Sequence, residues 1–190
     1  MKMMILGMLL ALPAFAAKYD VDSAHTTVGF TVKHLVVAKV KGKFDKFKGE
    51  FEFTPGKLET LKVKTEVQTT SINTNEKDRD KHLRSADFFD VQKFPVMRMA
   101  SKSIKDIDGN KAKMESDLTI KSTTKTVVFD LEYNGAAKDP WGNNKVSFTA
   151  SAKINRKDFG LNWSKLIEGG GLVVADEVLI ELEIEGNEKK

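Results

Sequence analysis

Cysteine is absent from the 190-residue chain. That excludes disulfides, a thiolate metal site, a cysteine nucleophile and a lipid-modified N-terminal cysteine. Tyrosine and tryptophan number 2 each against 12 phenylalanines, so most of the aromatic surface lacks a polar handle. Net charge is scarce too, at +4 spread over 31 basic and 27 acidic residues. Nucleic-acid binders concentrate excess charge on one face beside stacking aromatics, so nucleic acid is not an expected partner. Long apolar runs are also missing. The longest, Met3–Leu12, falls well short of the ~20 residues that span a bilayer.

That short run carries its own information. Lys2, the apolar segment, Pro13 and then Ala14-Phe15-Ala16 follow the order of a secretory leader. Cleavage is expected after Ala16. The remainder, residues 17–190, has the length of one domain. The expectation is an exported, periplasmic protein, neither membrane-spanning nor lipid-anchored, stabilised by its core alone.

Beyond the leader the dominant period is two, the mark of strands buried on one face. Val28, Phe30, Val32 and His34 share a face in the first strand, Thr26–His34. A second, Val40–Phe53, shifts parity near Asp45, with Phe44 before the bend and Phe47, Phe51 and Phe53 after it. Leu61, Val63 and Val67 mark a third; Met97 and Met99 a fourth; Ala112, Met114, Leu118 and Ile120 a fifth. Val127, Phe129, Leu131 and Tyr133 make a sixth, Val146, Phe148, Ala150 and Ile154 a seventh, and Val178, Ile180, Leu182 and Ile184 an eighth. Alternation on this scale predicts an all-β fold, an eight-stranded antiparallel barrel.

The connections orient it. Tight, polar turns at 54–57, 106–110 and 135–144 follow even strands, whereas the long connections Thr70–Phe94 and Arg156–Asp176 follow odd ones. Strands of one parity leave an up-and-down barrel at the same end. Both long segments therefore sit over one mouth, where His34 and Arg156 end the inward faces of their strands. Within the first, Asn75 is a plausible N-cap for a helix through Leu83, and Ser85 for a second short one carrying Phe88 and Phe89. A short helical lid is expected over residues 74–90.

An eight-stranded barrel is either filled by its side chains or hollow enough for one small ligand. A hollow barrel would be walled by Val28, Phe30, Val32, Phe44, Phe51 and Phe53 from the first two strands. Met97, Met99, Leu118, Ile120, Phe129, Leu131 and Phe148 would complete it. Leu83, Phe88, Phe89 and Phe94 supply apolar weight to the lid, and Phe159 to the mouth. Arg79, Asp80, His82 and Arg84 read either as a solvated helix or as a rim for a ligand head group. The lysines at 39, 41, 43, 46 and 48 read as a solvated strand face rather than a docking surface.

Several apparent motifs carry no chemistry. Asp158-Phe159-Gly160 lacks every other kinase element. Gly169-Gly170-Gly171 lacks the Lys-Ser/Thr of a phosphate loop, and Asp106-x-Asp108-Gly109-Asn110 lacks the glycine and glutamate of a calcium loop. His25, His34 and His82 have no zinc-site spacing, so no metal is expected. No nucleophile-elbow sequence is present, and a non-enzyme is expected. The alternatives are an enzyme acting on a small lipid through His34, His82 or Arg156, and a filled barrel serving in interaction or stress.

The blocks Asp22-Ser23-Ala24-His25-Thr26-Thr27-Val28-Gly29-Phe30, His34-Leu35, Ser71-Ile72-Asn73-Thr74 and Arg79–Asp90 resemble, in order, those of the YceI-like family of exported proteins. So do Phe94-Pro95, Leu118-Thr119-Ile120, Asp139-Pro140-Trp141-Gly142 and Arg156–Leu161. The resemblance implies a lipocalin-like barrel, often dimeric, whose pore holds a polyisoprenoid such as a quinone tail or polyprenyl phosphate, or another long-chain amphiphile. It implies no cofactor besides such a lipid. Two positions depart from the family pattern. Lys121 stands where glycine is usual, and Arg98 replaces a small polar residue.

Overall fold

The computed structural model describes residues 16–35, 37–166 and 172–190. The expected leader, apart from Ala16, and the triple glycine at 169–171 lie outside them. Chain order is β1 (Ala17–Val21), β2 (Thr27–His34), β3 (Ala38–Phe44), β4 (Phe47–Thr54), β5 (Lys57–Gln68) and β6 (Ile72–Asn73). Then come α1 (Lys77–Arg84), β7 (Val96–Asp108), β8 (Lys111–Ile120), β9 (Thr123–Lys138), β10 (Asn144–Asn155) and β11 (Val174–Glu188). Short 3-10 turns cover Thr69–Ser71 and Arg156–Phe159.

Every pairing is antiparallel, and the pieces make a closed eight-strand barrel. β1 and β2 act as one bent strand, and β3 and β4 as another, since β1 pairs with β4 while β2 pairs with β3. β11 pairs with both β1 and β2 and so closes the sheet. The break at Asp45-Lys46 turns Phe44 and Phe47 to the same side, as the parity shift predicts. After the bend β4 pairs with β5, whereas β3, before it, is met by β6 through Lys43↔Asn73 and Phe44↔Ile72.

β1 is not anticipated from the sequence, because Ala17, Tyr19 and Val21 are too short an alternation to stand out. It decides the closed end. Tyr19 stacks on Phe51 at 5.1 Å, Phe148 meets Phe53 at 5.0 Å, and Tyr133 lies 5.1 Å from Phe53. Gly186 makes room for this cluster, because a Cβ there would stand 2.2 Å from the Phe51 ring.

The lid differs from expectation in two respects. Glu76, not Asn75, caps α1: its carboxylate accepts from the Asp78 and Arg79 amides at 3.0 and 2.5 Å. A second helix does not form at Ser85. The Ser85 hydroxyl donates instead to the His82 carbonyl at 2.8 Å and closes the C-terminus of α1. Phe88 and Phe89 follow on successive turns, held by Phe88 N–H to Ser85 O and Phe89 N–H to Leu83 O.

Candidate functional site

The barrel is filled at one end and hollow at the other. Beneath the lid lies a cavity of about 180 Å³ with an almost wholly apolar lining. Val28, Phe30, Val32, Phe44, Met97, Met99, Leu118, Ile120 and Phe129 border it, as the alternation of their strands requires. Phe51, Phe53, Leu131 and Phe148 do not. They belong to the closed end, where Tyr19 from β1 and Tyr133 complete a solid cluster.

β11 supplies wall residues that were not singled out as site residues: Val178, Ile180, Leu182 and Ile184. Their period-two pattern was visible. What it lacked was any sign of what stood opposite. The inward side chains of β2 and β11 are only half-buried, whereas those of β8 are fully buried. The void is therefore eccentric, pressed against the β11–β2 side of the barrel.

The two long connections do meet over one mouth. Phe88 lies 5.4 Å from Trp163 of the second connection, and His82 lies edge-on to both rings at 5.1 Å. Leu83, Phe88 and Phe89 form the inner surface of the lid. Phe89 also meets Phe44 edge-on at 5.8 Å.

The charged residues of the lid are engaged in holding it together. Arg79 donates from Nε to Thr74 Oγ1 and from Nη2 to Thr74 O, both at 2.8 Å. Arg84 Nη1 donates to the Ile72 carbonyl at 3.1 Å. Asp80 is buried and accepts from the Thr74 amide at 2.9 Å. His82 Nε2 lies 2.9 Å from Asp87 Oδ2. None of Arg79, His82 and Arg84 borders the cavity, so the expected head-group rim is not assembled. Their spacing suits α1, and their hydrogen-bonding groups face the chain around it.

Arg156 does border the cavity, but its donors are committed. It is 3% exposed. Nε donates to Ala175 O at 3.0 Å, Nη1 to the carbonyls of Leu161 and Trp163, and Nη2 to Val174 O at 3.4 Å and Asp176 Oδ1 at 3.0 Å. A guanidinium has five N–H donors, and these contacts use all of them. Arg156 thus staples the second connection and offers its aliphatic stem to the cavity. Burial pushes its pKa down, and the Asp176 carboxylate opposes that shift.

The other mouth residues stand off the cavity. His34 is half-buried at the end of β2, between Ala38 and Val174. Phe159 is fully buried in the 3-10 turn. Phe94 lies under the Lys121 ammonium, 5.8 Å from the ring centroid. Lys121 has φ 54°, a left-handed conformation that explains why glycine suits this turn. Arg98 borders the cavity between Met97 and Met99, but its side chain is exposed and pairs with Glu66 at 3.0 Å.

The opening block of the sequence has a structural explanation. Asp22, His25 and Glu185 bring their ligand atoms within 4.8 Å of one another, which invites a cation. The Lys145 ammonium already provides one, 3.1 Å from Asp22 Oδ2 and 2.5 Å from Glu185 Oε1. Asp22 also accepts from the Ala24 amide and from Asn187 Nδ2, at 3.0 and 3.1 Å. The cluster therefore pins the β1–β2 bend to β10 and β11.

Burial alone would raise the Asp22 pKa, but His25, Asn187, Lys145 and the Ala24 amide outweigh it and hold the carboxyl well below the usual range. A depressed folded pKa contributes stability above the unfolded pKa, ~3.9, and loses it as pH falls through the folded value. The protein should therefore lose stability below about pH 4. Asp22→Asn should be less stable at neutral pH yet change less on acidification. Urea midpoints across an acid pH series check this, and parallel curves would remove Asp22 from the explanation.

Comparison with known proteins agrees with this architecture. The YceI-like domain matches residues 19–186. A UPF0312 protein of Vibrio cholerae is 35% identical over 178 residues, covering 93% of this chain and 90% of the relative. The crystal structure of the Campylobacter jejuni YceI protein is 36% identical, covers 89% of this chain and 96% of that one, and superposes with a TM-score of 0.73. A polyisoprenoid binding domain from Saccharophagus degradans shares the fold at a TM-score of 0.69 with 13% identity, covering 92% of this chain and 99% of that one.

Proposed function

The chain belongs to the YceI-like family, and from that premise we propose that it is a periplasmic carrier holding the tail of an isoprenoid lipid, without catalysing a reaction. One observation carries the reading: an apolar cavity of about 180 Å³, closed at its inner end by aromatic side chains and covered at its mouth by a lid. An apolar cavity of roughly 150 Å³ stays dry and binds benzene. A branched hydrocarbon segment suits a space of this kind, each buried methylene contributing ~0.8 kcal/mol. The Saccharophagus degradans domain of the same fold is a polyisoprenoid binder, and the leader pattern supports export. With Arg156, Arg79 and Arg84 committed to backbone carbonyls and Thr74, the cavity recognises the tail and leaves the head group outside.

Native mass spectrometry of the gently purified protein, with organic extraction of what it carries, tests this. Ile180→Trp fills the void and should lower lipid retention about tenfold, since displacing two methylenes costs roughly 1.6 kcal/mol, while the melting temperature stays close to the parent's. Phe88→Asp opens the lid and should also empty the protein. A parent protein that carries no lipid, or an Ile180→Trp variant that retains as much as the parent, overturns the reading.

A further inference from the structure

The mouth end of the barrel also carries an exposed apolar tip outside the cavity. Leu35 and Val37, in the β2–β3 turn, are 38% and 89% exposed, and Leu166 of the second connection is 74% exposed. These tips are neighbours. The Leu35 amide donates to Val173 O at 3.0 Å, the Val173 amide to Lys165 O at 2.9 Å, and Leu166 bridges to Leu172. Leu35 has φ 51°, a strained conformation for a bulky apolar residue and one ordinarily left to glycine or asparagine.

The same tip is flanked by lysines. Lys33 sits directly opposite Lys39 in the hairpin, with Lys41 next along the outer face, and Lys165 adjoins Leu166. Like charges placed opposite each other destabilise a strand pair. Among the described residues, no carboxylate lies within 4.0 Å of any of these four lysines; farther along the run Lys43 and Lys48 pair with Asp45 and Glu66, and Lys46 has no such partner. Of the acids nearby, Asp176 pairs with Arg156 and Lys157, Glu177 with Lys153, and Asp87 with His82, while Glu181 and Glu183 border a surface pocket shared with Lys41. Among the described residues, Lys33, Lys39, Lys41 and Lys165 thus have no ion-pair partner, and they stand beside exposed hydrocarbon.

We propose that this end of the barrel docks on a bilayer surface containing anionic lipid. Leu35, Val37 and Leu166 enter the acyl boundary, and Lys33, Lys39, Lys41 and Lys165 meet the phosphates. Apolar tips ringed by lysine are the composition of an interfacial membrane contact. The cavity mouth lies at this same end. The closed end also exposes Ile107 and Trp141, but there Asp106, Asp108 and Asp139 lie close in sequence and would repel an anionic surface. Docking through these residues does not depend on what the cavity holds.

Co-sedimentation with phosphatidylethanolamine–phosphatidylglycerol vesicles, against pure phosphatidylcholine vesicles, tests the proposal. The parent should bind the anionic vesicles, less so in high salt. Lys33→Glu with Lys39→Glu should weaken binding about tenfold or more. Val37→Asp and Leu166→Asp should weaken it without lowering the melting temperature, because both side chains are exposed. Trp141→Ala, at the closed end, should bind like the parent. Extraction of the same samples separates this from the carrier reading, since these variants should keep their lipid. Several results overturn docking: no binding by the parent, equal binding to both vesicle types, variants that bind like the parent, or equal loss in Trp141→Ala. A parent oligomer that Val37→Asp disperses would instead make the patch a self-interface.

Discussion

Replacing Arg156 with methionine is expected to destabilise the protein by about 3–5 kcal/mol, the usual cost of removing one partner of a buried ionic group. The cost arises from the acceptors left behind. The carbonyls of Leu161, Trp163, Val174 and Ala175 all lose their donor, and a buried acceptor without a partner costs about 1–3 kcal/mol. Asp176 is spared, since Lys157 Nζ also reaches it at 2.8 Å. The damage should be local to the mouth. Hydrogen exchange across residues 161–166 and 172–176 should accelerate more than exchange at the closed end. Arg156→Lys should recover only part of the loss, because three donors on one nitrogen cannot match a five-donor fork. A stability change below about 1 kcal/mol in urea unfolding would fall to the level of a single ordinary hydrogen bond. The staple would then have little energetic weight.

Phe53→Ala is expected to cost a similar 3–5 kcal/mol, for a different reason. Phe53 is 0% exposed and contacts Tyr133 and Phe148, so truncation opens a void where none exists. Phe30→Ala provides the comparison. Its ring is half-buried and already borders the cavity, so fewer contacts are lost, and the surrounding space is already empty. The expected order in the lipid-stripped protein is Phe53→Ala well below Phe30→Ala in unfolding free energy. Lipid retention per folded molecule should run the other way. If the two variants destabilise equally, the inner half of the barrel is not the solid core described above.

Gly42 shows how local sequence and cavity shape connect. A Cβ at that position would stand 2.3 Å from the Phe30 ring. The ring therefore lies across the neighbouring strand because glycine leaves it space. That glycine falls in the β3 alternation as an unremarked small residue, and only the register Phe30↔Gly42 reveals its use. The lid makes the same point. Arg79, His82 and Arg84 have the composition of a head-group rim, yet each is drawn to an acceptor within its own segment or the strand beside it. Composition lists the donors available; the acceptors they reach depend on how the chain returns on itself.

The sequence alone determined which face points inward in the eight alternating segments from Thr26 onward, the bend at Asp45, and the placing of both long connections over one mouth. All three follow from periodicity and chain parity, which the chain carries locally. It also carried the family resemblance, block by block. Only the tertiary structure decided that the barrel is solid at one end and hollow at the other. Alternation gives the direction of a side chain but not the distance to whatever faces it. Phe51, Phe53 and Phe148 meet Tyr19 and Tyr133 across a closed end, whereas Phe30 and Ile180 face a void. The role of Arg156 was likewise undecided until the chain had folded, because its acceptors lie as far as 20 residues away, at Asp176. A fork with five donors at the inner end of a strand can serve a ligand or a loop, and here the loop carbonyls reach it first.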